Sequence, residues 1–415
     1  MNYIDERVSA LAIKAERDLA PIYNKIDALC EKNSRKVIES FVKNRVSYSD
    51  FTDINGYGFY DGGRDKLEKI FAEVLGGEDA LVRPHIMSGT NAIALTLSAL
   101  LKHGDTLLSV SGLPYDSLQG IIGISGDSKQ SLKAHGVNYE QIDLTADSDF
   151  DIPAVEGRIR KGGVTVVAIQ RSRGYSARKS LTIEKIARVI KAIKDIDKNV
   201  VVMVDNCYGE LVEDREPTDV GADVIVGSLM KNLGGGVASS GGYMVGTTEI
   251  IEQIAERLTA PGVGKSMGAN FNQNLPFYKG LYMAPNAVKN SLKTAIFASY
   301  MLEKLGFDNV DPSFSEYRTD IIQTVGLKNV DNLVKFCQGM QSGSPIDSFV
   351  QVLPAPMPGY PHDEVMAGGS FTQGSTIELS CDAPIVEPFT AYMQGGLTYE
   401  YGKYGVMVAI SSMFK

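Results

Sequence analysis

The sequence is short of cysteine, of histidine and of long apolar runs, and each shortage excludes a class of protein. The four cysteines lie far apart without a CxxC pair, which argues against a zinc site and a disulfide scaffold and favours a reducing cytoplasm. The four histidines show no metal-ligand spacing, so no metal is expected. No apolar run approaches the roughly 20 residues that a membrane span requires.

The sequence also has fewer basic than acidic residues. Asp and Glu outnumber Lys and Arg by 50 to 41, which gives a formal net charge of −9. An acidic protein is poorly suited to nucleic acid or to an anionic membrane, so we expect neither as a partner. The first residues are acidic and amphipathic, unlike a signal peptide. We therefore expect a cytoplasmic protein.

Glycine, in contrast, is abundant, with 42 residues in a chain of 415, about 10% against a usual share of roughly 7%. Several glycines follow predicted strands, where the backbone must turn tightly or approach a ligand. The length of the chain predicts two or three domains.

The apolar pattern divides the chain into three parts. Residues 1–50 are predicted to form a helical arm, which packs on its own domain or reaches a second subunit, and Pro21 is expected to bend or split it. Residues 51–290 alternate short β-branched strands with helices, which is typical of a large α/β domain with a mostly parallel sheet covered by helices. Residues 291–415 are predicted to form a smaller α+β domain. The strands predicted there include STIELS (375–380) and VMVAI (406–410).

Polar residues follow several strands of the predicted large sheet, where ligands bind in α/β proteins. Asp205 ends one apolar strand, Lys231 follows the next, and Ser88 begins a helix after an earlier one. A buried carboxylate requires a partner, and a helix start favours a phosphate. A turn aspartate and a capping serine would explain two of these residues equally well. Together the three suit pyridoxal 5'-phosphate (PLP), which has a phosphate, a pyridine nitrogen and an aldehyde for a lysine.

The order of these motifs resembles that of the fold-type-I PLP-dependent enzymes of cysteine and methionine metabolism. It resembles most closely their methionine γ-lyase-like or aluminium-resistance branch, and the likeness covers nearly the whole chain. The motifs that carry it are GYGFYDGGRDKLEKIFAEVLGGEDALVRPHIMSGTNAI, IQRSRGYSARKSLTI, DNCYGELVE, GSLMKNLGGG and QGGLTYEYGK. The resemblance implies the fold-type-I transferase fold and a homo-oligomer, dimer or tetramer, with sites near the subunit interface.

The resemblance also implies a role for each site residue. Lys231 would form the Schiff base with PLP, and Asp205 would pair with the pyridine nitrogen. Tyr115 would stack on the ring and act as an acid near the leaving group, while Tyr57 would reach the phosphate of a neighbouring subunit. The residues implied in binding the phosphate of their own subunit's cofactor are Ser88, Gly89, Thr90 and Ser228.

The substrate carboxylate calls for an arginine that binds it through two nitrogens. Arg173 is the preferred candidate and Arg171 the second, and a salt bridge is the alternative role for either. The sequence departs from the family pattern at three positions. They are Phe59, with Arg64 as a replacement for the arginine expected there, Val386 in place of an arginine, and Asn91 in place of a histidine.

The resulting prediction is a PLP-dependent carbon–sulfur lyase that acts on a sulfur amino acid. The residues fit γ-elimination of the methionine γ-lyase type and β-elimination of the cystathionine β-lyase type equally well. The alternatives are another fold-type-I reaction, such as an aminotransferase or aldolase reaction, and a non-catalytic PLP-binding sensor. The stretch PGVGKSMG (261–268) imitates a phosphate-binding loop but lacks its first glycine, because Thr259 occupies that position.

Overall fold

The computed structural model describes residues 4–52, 54–57, 60–357 and 362–414. Its α-helices are α1 (Glu6–Lys43), α2 (Gly62–Val74), α3 (Gly89–Leu100), α4 (Asp116–Ile122), α5 (Ile152–Ile159), α6 (Ile183–Ile196), α7 (Thr248–Leu258), α8 (Asn274–Lys304), α9 (Val330–Ser342) and α10 (Tyr399–Ser412). Its strands are β1 (Asp79–Arg83), β2 (Thr106–Ser109), β3 (Asn138–Gln141), β4 (Val166–Gln170), β5 (Val201–Asp205), β6 (Val224–Ser228), β7 (Gly242–Gly246), β8 (Val310–Asp311), β9 (Gln323–Gly326), β10 (Ala355–Pro356), β11 (Asp363–Ala367), β12 (Ser380–Pro384) and β13 (Thr390–Gln394).

These elements form two compact units. The large unit comprises Arg35–Leu229 and Ser240–Tyr282. The small unit comprises Met1–Ser34, Met230–Ser239 and Met283–Lys415. The division runs through α1 and α8, whereas the sequence pattern placed the boundaries after residues 50 and 290.

The large unit is built on a seven-stranded sheet with the order β1-β7-β6-β5-β4-β2-β3. Strand β7 is antiparallel to both of its neighbours, and the other six strands share one direction. Strands β2, β6 and β7 are fully buried, as expected for strands covered on both faces. The α/β fold class with a mostly parallel, helix-covered sheet is confirmed. Because β4, β5 and β6 are parallel neighbours, their carboxyl ends meet at one edge.

Helices α3 and α7 cover this sheet through one hydrophobic core. Burying a leucine or isoleucine side chain there contributes about 1.5–3 kcal/mol. The core residues from the two helices and the strands include Ile93, Leu97, Ile251, Ile254, Leu81, Met203, Val226 and Met244. Strand β3 lies outside the predicted pattern, because its sequence NYEQ is polar and lies at the exposed edge of the sheet.

Helix α1 continues through Pro21, so the break that the sequence allowed there does not occur. Proline in a helix interior costs about 3 kcal/mol, since it removes a backbone hydrogen bond. Pro21 lies on the exposed side of α1, where water can satisfy the freed carbonyl, while Val8, Ala15 and Leu19 are buried on the other side. None of the described helices is long and apolar enough to cross a membrane.

The small unit contains a six-stranded antiparallel sheet with the order β10-β11-β12-β13-β9-β8. Two strand predictions for this part of the chain are wrong. VMVAI lies within α10, which packs against α9 and buries Val406, Ala409 and Ile410 at helical spacing. STIELS contributes only its last residue, Ser380, to β12. Packing of α10 outweighs the β preference of its valines.

Candidate active site

The start of α3 lies against the carboxyl ends of β5 and β6. Ser88 caps α3, and its hydroxyl accepts a hydrogen bond from the backbone N–H of Asn91 at 3.1 Å. A Cβ at Gly89 would lie 3.2 Å from the Sγ of Cys207 and 3.3 Å from the Cβ of Ser228, so only glycine fits without displacement. The structure therefore brings the helix start together with Ser228, and unpaired N–H groups at a helix start attract phosphate.

Asp205 ends β5 and is 7% exposed. One carboxylate oxygen accepts the backbone N–H of Cys207 at 3.1 Å. No cationic side chain of the described residues pairs with this carboxylate. A buried carboxylate is costly without a positive partner. Asp205 therefore fits a cationic group such as a protonated pyridine nitrogen.

Tyr115 immediately precedes α4 and approaches both features. Its phenol oxygen lies 3.4 Å from the hydroxyl of Thr90, in the first turn of α3. Its backbone N–H donates to the side-chain oxygen of Gln170 at 3.2 Å. Burial raises the pKa of the Tyr115 phenol well above its usual value, and the negative charge of Asp205 raises the pKa further. The phenol is therefore protonated at neutral pH and can donate a hydrogen bond.

Lys231 follows β6 by three residues and precedes a short 3-10 helix, Asn232–Gly234. Its side chain is partly buried. Gly235 and Gly236 have left-handed φ values of 56° and 73°, which glycine adopts readily. A Cβ at Gly236 would lie 2.5 Å from a methyl carbon of Leu397. Backbone conformation and the packing of Leu397 thus account for glycines in this run.

The two arginine candidates are both buried after β4. Arg171 pairs with Glu213 at 2.8 Å and Glu216 at 3.3 Å, and it also donates to the side chain of Asn206 at 2.7 Å. These partners differ from the substrate carboxylate predicted for Arg171. Arg173 is 2% exposed, and its backbone carbonyl accepts from Ser176.

Tyr57, predicted to serve a neighbouring subunit, is 70% exposed. Phe59 lies outside the described residues. Arg64, considered as a replacement for the missing arginine, is only 1% exposed and pairs with Asp65. Its guanidinium is therefore occupied within its own chain. Val386 is 37% exposed in the small unit.

Arg64 and Arg83 also hold the PGVGKSMG stretch. Arg83 is paired with Glu68, and both side chains are almost fully buried. The two arginines donate at 2.8–3.2 Å to four consecutive backbone carbonyls. These are the carbonyls of Lys265, Ser266, Met267 and Gly268.

Sequence reasoning did not indicate the contacts that support the candidate site. The side-chain oxygen of Gln170 accepts from the backbone N–H of Tyr115, and the side chain of Asn206 contacts Arg171. The backbone N–H of Cys207 donates to Asp205, and its Sγ packs against Gly89. All three lie within the motifs IQRSRGYSARKSLTI and DNCYGELVE, which was the available signal. Apart from the Cys207–Asp205 hydrogen bond, the partners are distant in sequence, so the motifs alone did not indicate which residue supports which.

Comparisons with known proteins identify the family of this chain. The profile of the family described as methionine gamma-lyase matches residues 8–414. The uncharacterized protein YnbB of Bacillus subtilis is 45% identical over 411 residues, which cover 99% of this chain and 97% of YnbB. The crystal structure of a carbon-sulfur lyase involved in aluminum resistance from Clostridium novyi NT is 44% identical, with a TM-score of 0.94, and the match covers 99% of this chain and 96% of that one.

A more distant structure shares the fold alone. The pyridoxal-5'-phosphate dependent protein YhfS of Escherichia coli is 18% identical, with a TM-score of 0.62, and the match covers 93% of this chain and 97% of YhfS. The predicted enzyme class, a PLP-dependent carbon–sulfur lyase, is confirmed at the level of the family. The family match spans almost every described residue of both units, and this chain therefore belongs to the methionine gamma-lyase family.

Proposed function

We propose that the protein uses PLP to cleave a carbon–sulfur bond in a sulfur amino acid. The observation that carries this proposal is Asp205, a buried carboxylate without a cationic partner among the described residues, close to Tyr115 and to the start of α3. When bound, PLP withdraws electrons from the α-carbon of an amino acid, which makes bonds at that carbon easier to break.

The residues around Asp205 fit the parts of PLP. The backbone N–H groups of Gly89 and Thr90, with the hydroxyls of Ser88 and Ser228, would bind the phosphate. The Asp205 carboxylate would bind the protonated pyridine nitrogen. The tight packing at Gly89 supports this arrangement, because it places the start of α3 next to Ser228 and Cys207. Tyr115 would lie against the ring, and Lys231 would hold the cofactor covalently.

Three side chains would then act on the substrate. The amine of Lys231 would remove the proton from the α-carbon. The Tyr115 phenol, protonated at neutral pH, would donate a proton to the departing sulfur. Arg173, the candidate that the sequence favours, would bind the substrate carboxylate. The two terminal nitrogens of Arg171 are hydrogen-bonded to Glu213, Glu216 and Asn206.

The substrate class follows from the family and from the aluminum-resistance carbon-sulfur lyase of Clostridium novyi NT. Cystathionine or cysteine would require β-elimination, and methionine would require γ-elimination with a second proton removal at the β-carbon. Release of ammonia, a 2-oxo acid and a thiol supports a lyase. Amino-group exchange without thiol release would support an aminotransferase, and no turnover by the PLP-bound protein would support a sensor.

Covalent attachment gives the most direct test of the cofactor site. We expect the purified protein, after addition of PLP, to absorb visible light, and borohydride reduction to leave a pyridoxyl group on Lys231. The measurement is peptide mass mapping of the reduced protein. Lys231→Ala serves as the control and should retain no pyridoxyl group. A pyridoxyl group on another lysine of the wild type, or no chromophore at all, would contradict the proposal.

We further propose a cytoplasmic homo-oligomer, a dimer or tetramer. All four cysteines are free, which suits a reducing compartment. The exposed ring of Tyr57 could contact a second copy of the chain. In sedimentation measurements, a monomeric species at micromolar concentration would contradict the predicted oligomer.

A further inference from the structure

Arg171 is fully buried one residue beyond the end of β4. Its Nη1 lies 2.7 Å from Oδ1 of Asn206 and 3.3 Å from Oε2 of Glu216, and its Nη2 lies 2.8 Å from Oε2 of Glu213. Both terminal nitrogens are therefore hydrogen-bonded inside the large unit. The guanidinium is fully buried among side chains of its own chain.

Asn206 connects this cluster to Asp205, its neighbour in the chain. Its side-chain oxygen accepts from Arg171, and its Nδ2 donates to Glu216 at 2.9 Å. Its backbone N–H donates to the carbonyl of Val226 in β6 at 3.0 Å. The residue immediately after Asp205 is thus held through both its side chain and its main chain.

Arg171 also contacts the backbone of Asp205 directly. The N–H of Arg171 donates to the carbonyl of Asp205 at 3.1 Å. Glu216 stabilises the segment that follows β5, because its Oε1 accepts a hydrogen bond from the N–H of Leu211 at 2.8 Å. Glu213 fixes the start of α6 by accepting the N–H of Ile183 at 3.0 Å. The cluster therefore joins the end of β4, the end of β5 and the start of α6.

The Asp205 carboxylate depends on this framework. It accepts a hydrogen bond from the backbone N–H of Cys207, two residues along the same turn, and no cationic side chain of the described residues orients it. A group that contacts a cofactor must be held within about 0.5 Å of its working position by the residues around it. Here those residues act mainly on the backbone that carries the carboxylate.

We infer that Arg171 is a positioning residue, which, through Asn206 and Glu216, fixes Asp205 in the orientation that the pyridine nitrogen of PLP requires. The inference rests on the proposed function, since Asp205 has this role only when PLP is bound. It assigns Arg171 a task other than the substrate binding predicted from the sequence.

The test compares two buried arginine–glutamate pairs of the large unit. Glu216→Gln removes a carboxylate from Arg171, and Glu68→Gln removes one from Arg83, whose pair is equally buried. Asn206→Ala is the second test variant, because it leaves Arg171 paired with both glutamates and so leaves no buried charge without its partner if Glu216→Gln fails to fold. We measure the dissociation constant of PLP and the pyridine-nitrogen NMR shift of bound ¹⁵N-labelled PLP, which reports protonation of that nitrogen.

For Glu216→Gln and Asn206→Ala we expect PLP to bind about tenfold or more weakly and the protonated fraction of the nitrogen to fall. Glu68→Gln should lower the melting temperature but leave the nitrogen shift of the wild type. The inference is wrong if the wild type carries PLP on Lys231 and the two test variants match it, or if Glu68→Gln changes the shift as much. A wild type that does not bind PLP would instead overturn the proposed function.

Discussion

The Asp205 carboxylate is buried without a cationic partner from the described part of the chain. The proposed function therefore depends strongly on its charge. The same charge helps to keep the Tyr115 phenol protonated. The Asp205 carboxylate thus acts on the Tyr115 phenol and, under the proposed function, on the pyridine nitrogen of PLP. A change that removes its charge but keeps its shape should separate these effects from packing.

Asp205→Asn is the corresponding substitution. We expect PLP to remain attached to Lys231 and kcat for thiol release to fall about a hundredfold or more, because the pyridine nitrogen loses its charge partner. Steady-state assays measure the loss, and the absorbance of PLP released by denaturation checks that the variant is loaded. Unchanged kinetics in a fully loaded variant would mean that Asp205 has only a structural role.

Among the elements, α10 shows how packing decides a conformation that local sequence does not. A Cβ at Gly402, in its first turn, would collide with the side chain of Thr294 in α8. Gly157 in α5 has no heavy atom within 4 Å of the corresponding position. The two helical glycines therefore differ in their surroundings and not in their backbone conformation.

This difference predicts opposite effects of one substitution. Gly157→Ala should stabilise the protein by about 0.5–1 kcal/mol, because alanine loses less entropy in a helix. Gly402→Ala should destabilise it by about 1–3 kcal/mol, because the added methyl overpacks the contact with Thr294. Denaturant unfolding of both variants measures the effects. If Gly402→Ala proved as stabilising as Gly157→Ala, the close packing of α10 on α8 would be refuted.

The sequence predicted the strands of the large sheet well, but it did not predict the contacts between residues that are distant along the chain. Strands β5 and β6 are recognisable because burial on both faces favours a nearly continuous run of apolar residues rich in valine and isoleucine. The valines of α10 gave the wrong element, because its contacts with α9 and Thr294 are not visible locally. Arg171 and Glu216 lie 45 positions apart, so their pairing depends on how β4 and the chain after β5 are arranged in the fold.

For the molecule as a whole, resistance to acid should depend on buried ion pairs such as Glu68–Arg83. Burial opposes ionisation of Glu68, but the charges of Arg83 and Lys265 and the hydrogen bonds to the carboxylate outweigh it, so the pKa of Glu68 lies below its usual value. A pKa that is lower in the folded than in the unfolded state stabilises the fold above the unfolded value, about 4.3, and this contribution is lost as the pH falls further.

We therefore expect the free energy of unfolding to fall below about pH 4.3 in the wild type, and to fall less steeply in Glu68→Gln, which cannot titrate. The variant should be less stable at pH 7, because Arg83 loses a charged partner. Urea unfolding of both proteins at pH 7 and at about pH 3, well below the unfolded value of about 4.3, gives the comparison. Parallel losses of stability would show that Glu68 contributes nothing to the acid response.

Arg83, together with Arg64, determines which ligands the PGVGKSMG stretch can bind. A phosphate-binding loop presents N–H donors to an anion, whereas this stretch directs four successive carbonyl oxygens at the guanidinium groups of Arg64 and Arg83. The stretch therefore presents acceptors where a phosphate-binding loop presents donors. It binds cationic groups, and the guanidinium groups of Arg64 and Arg83 already occupy it. A nucleotide phosphate approaching these carbonyls would be repelled by them.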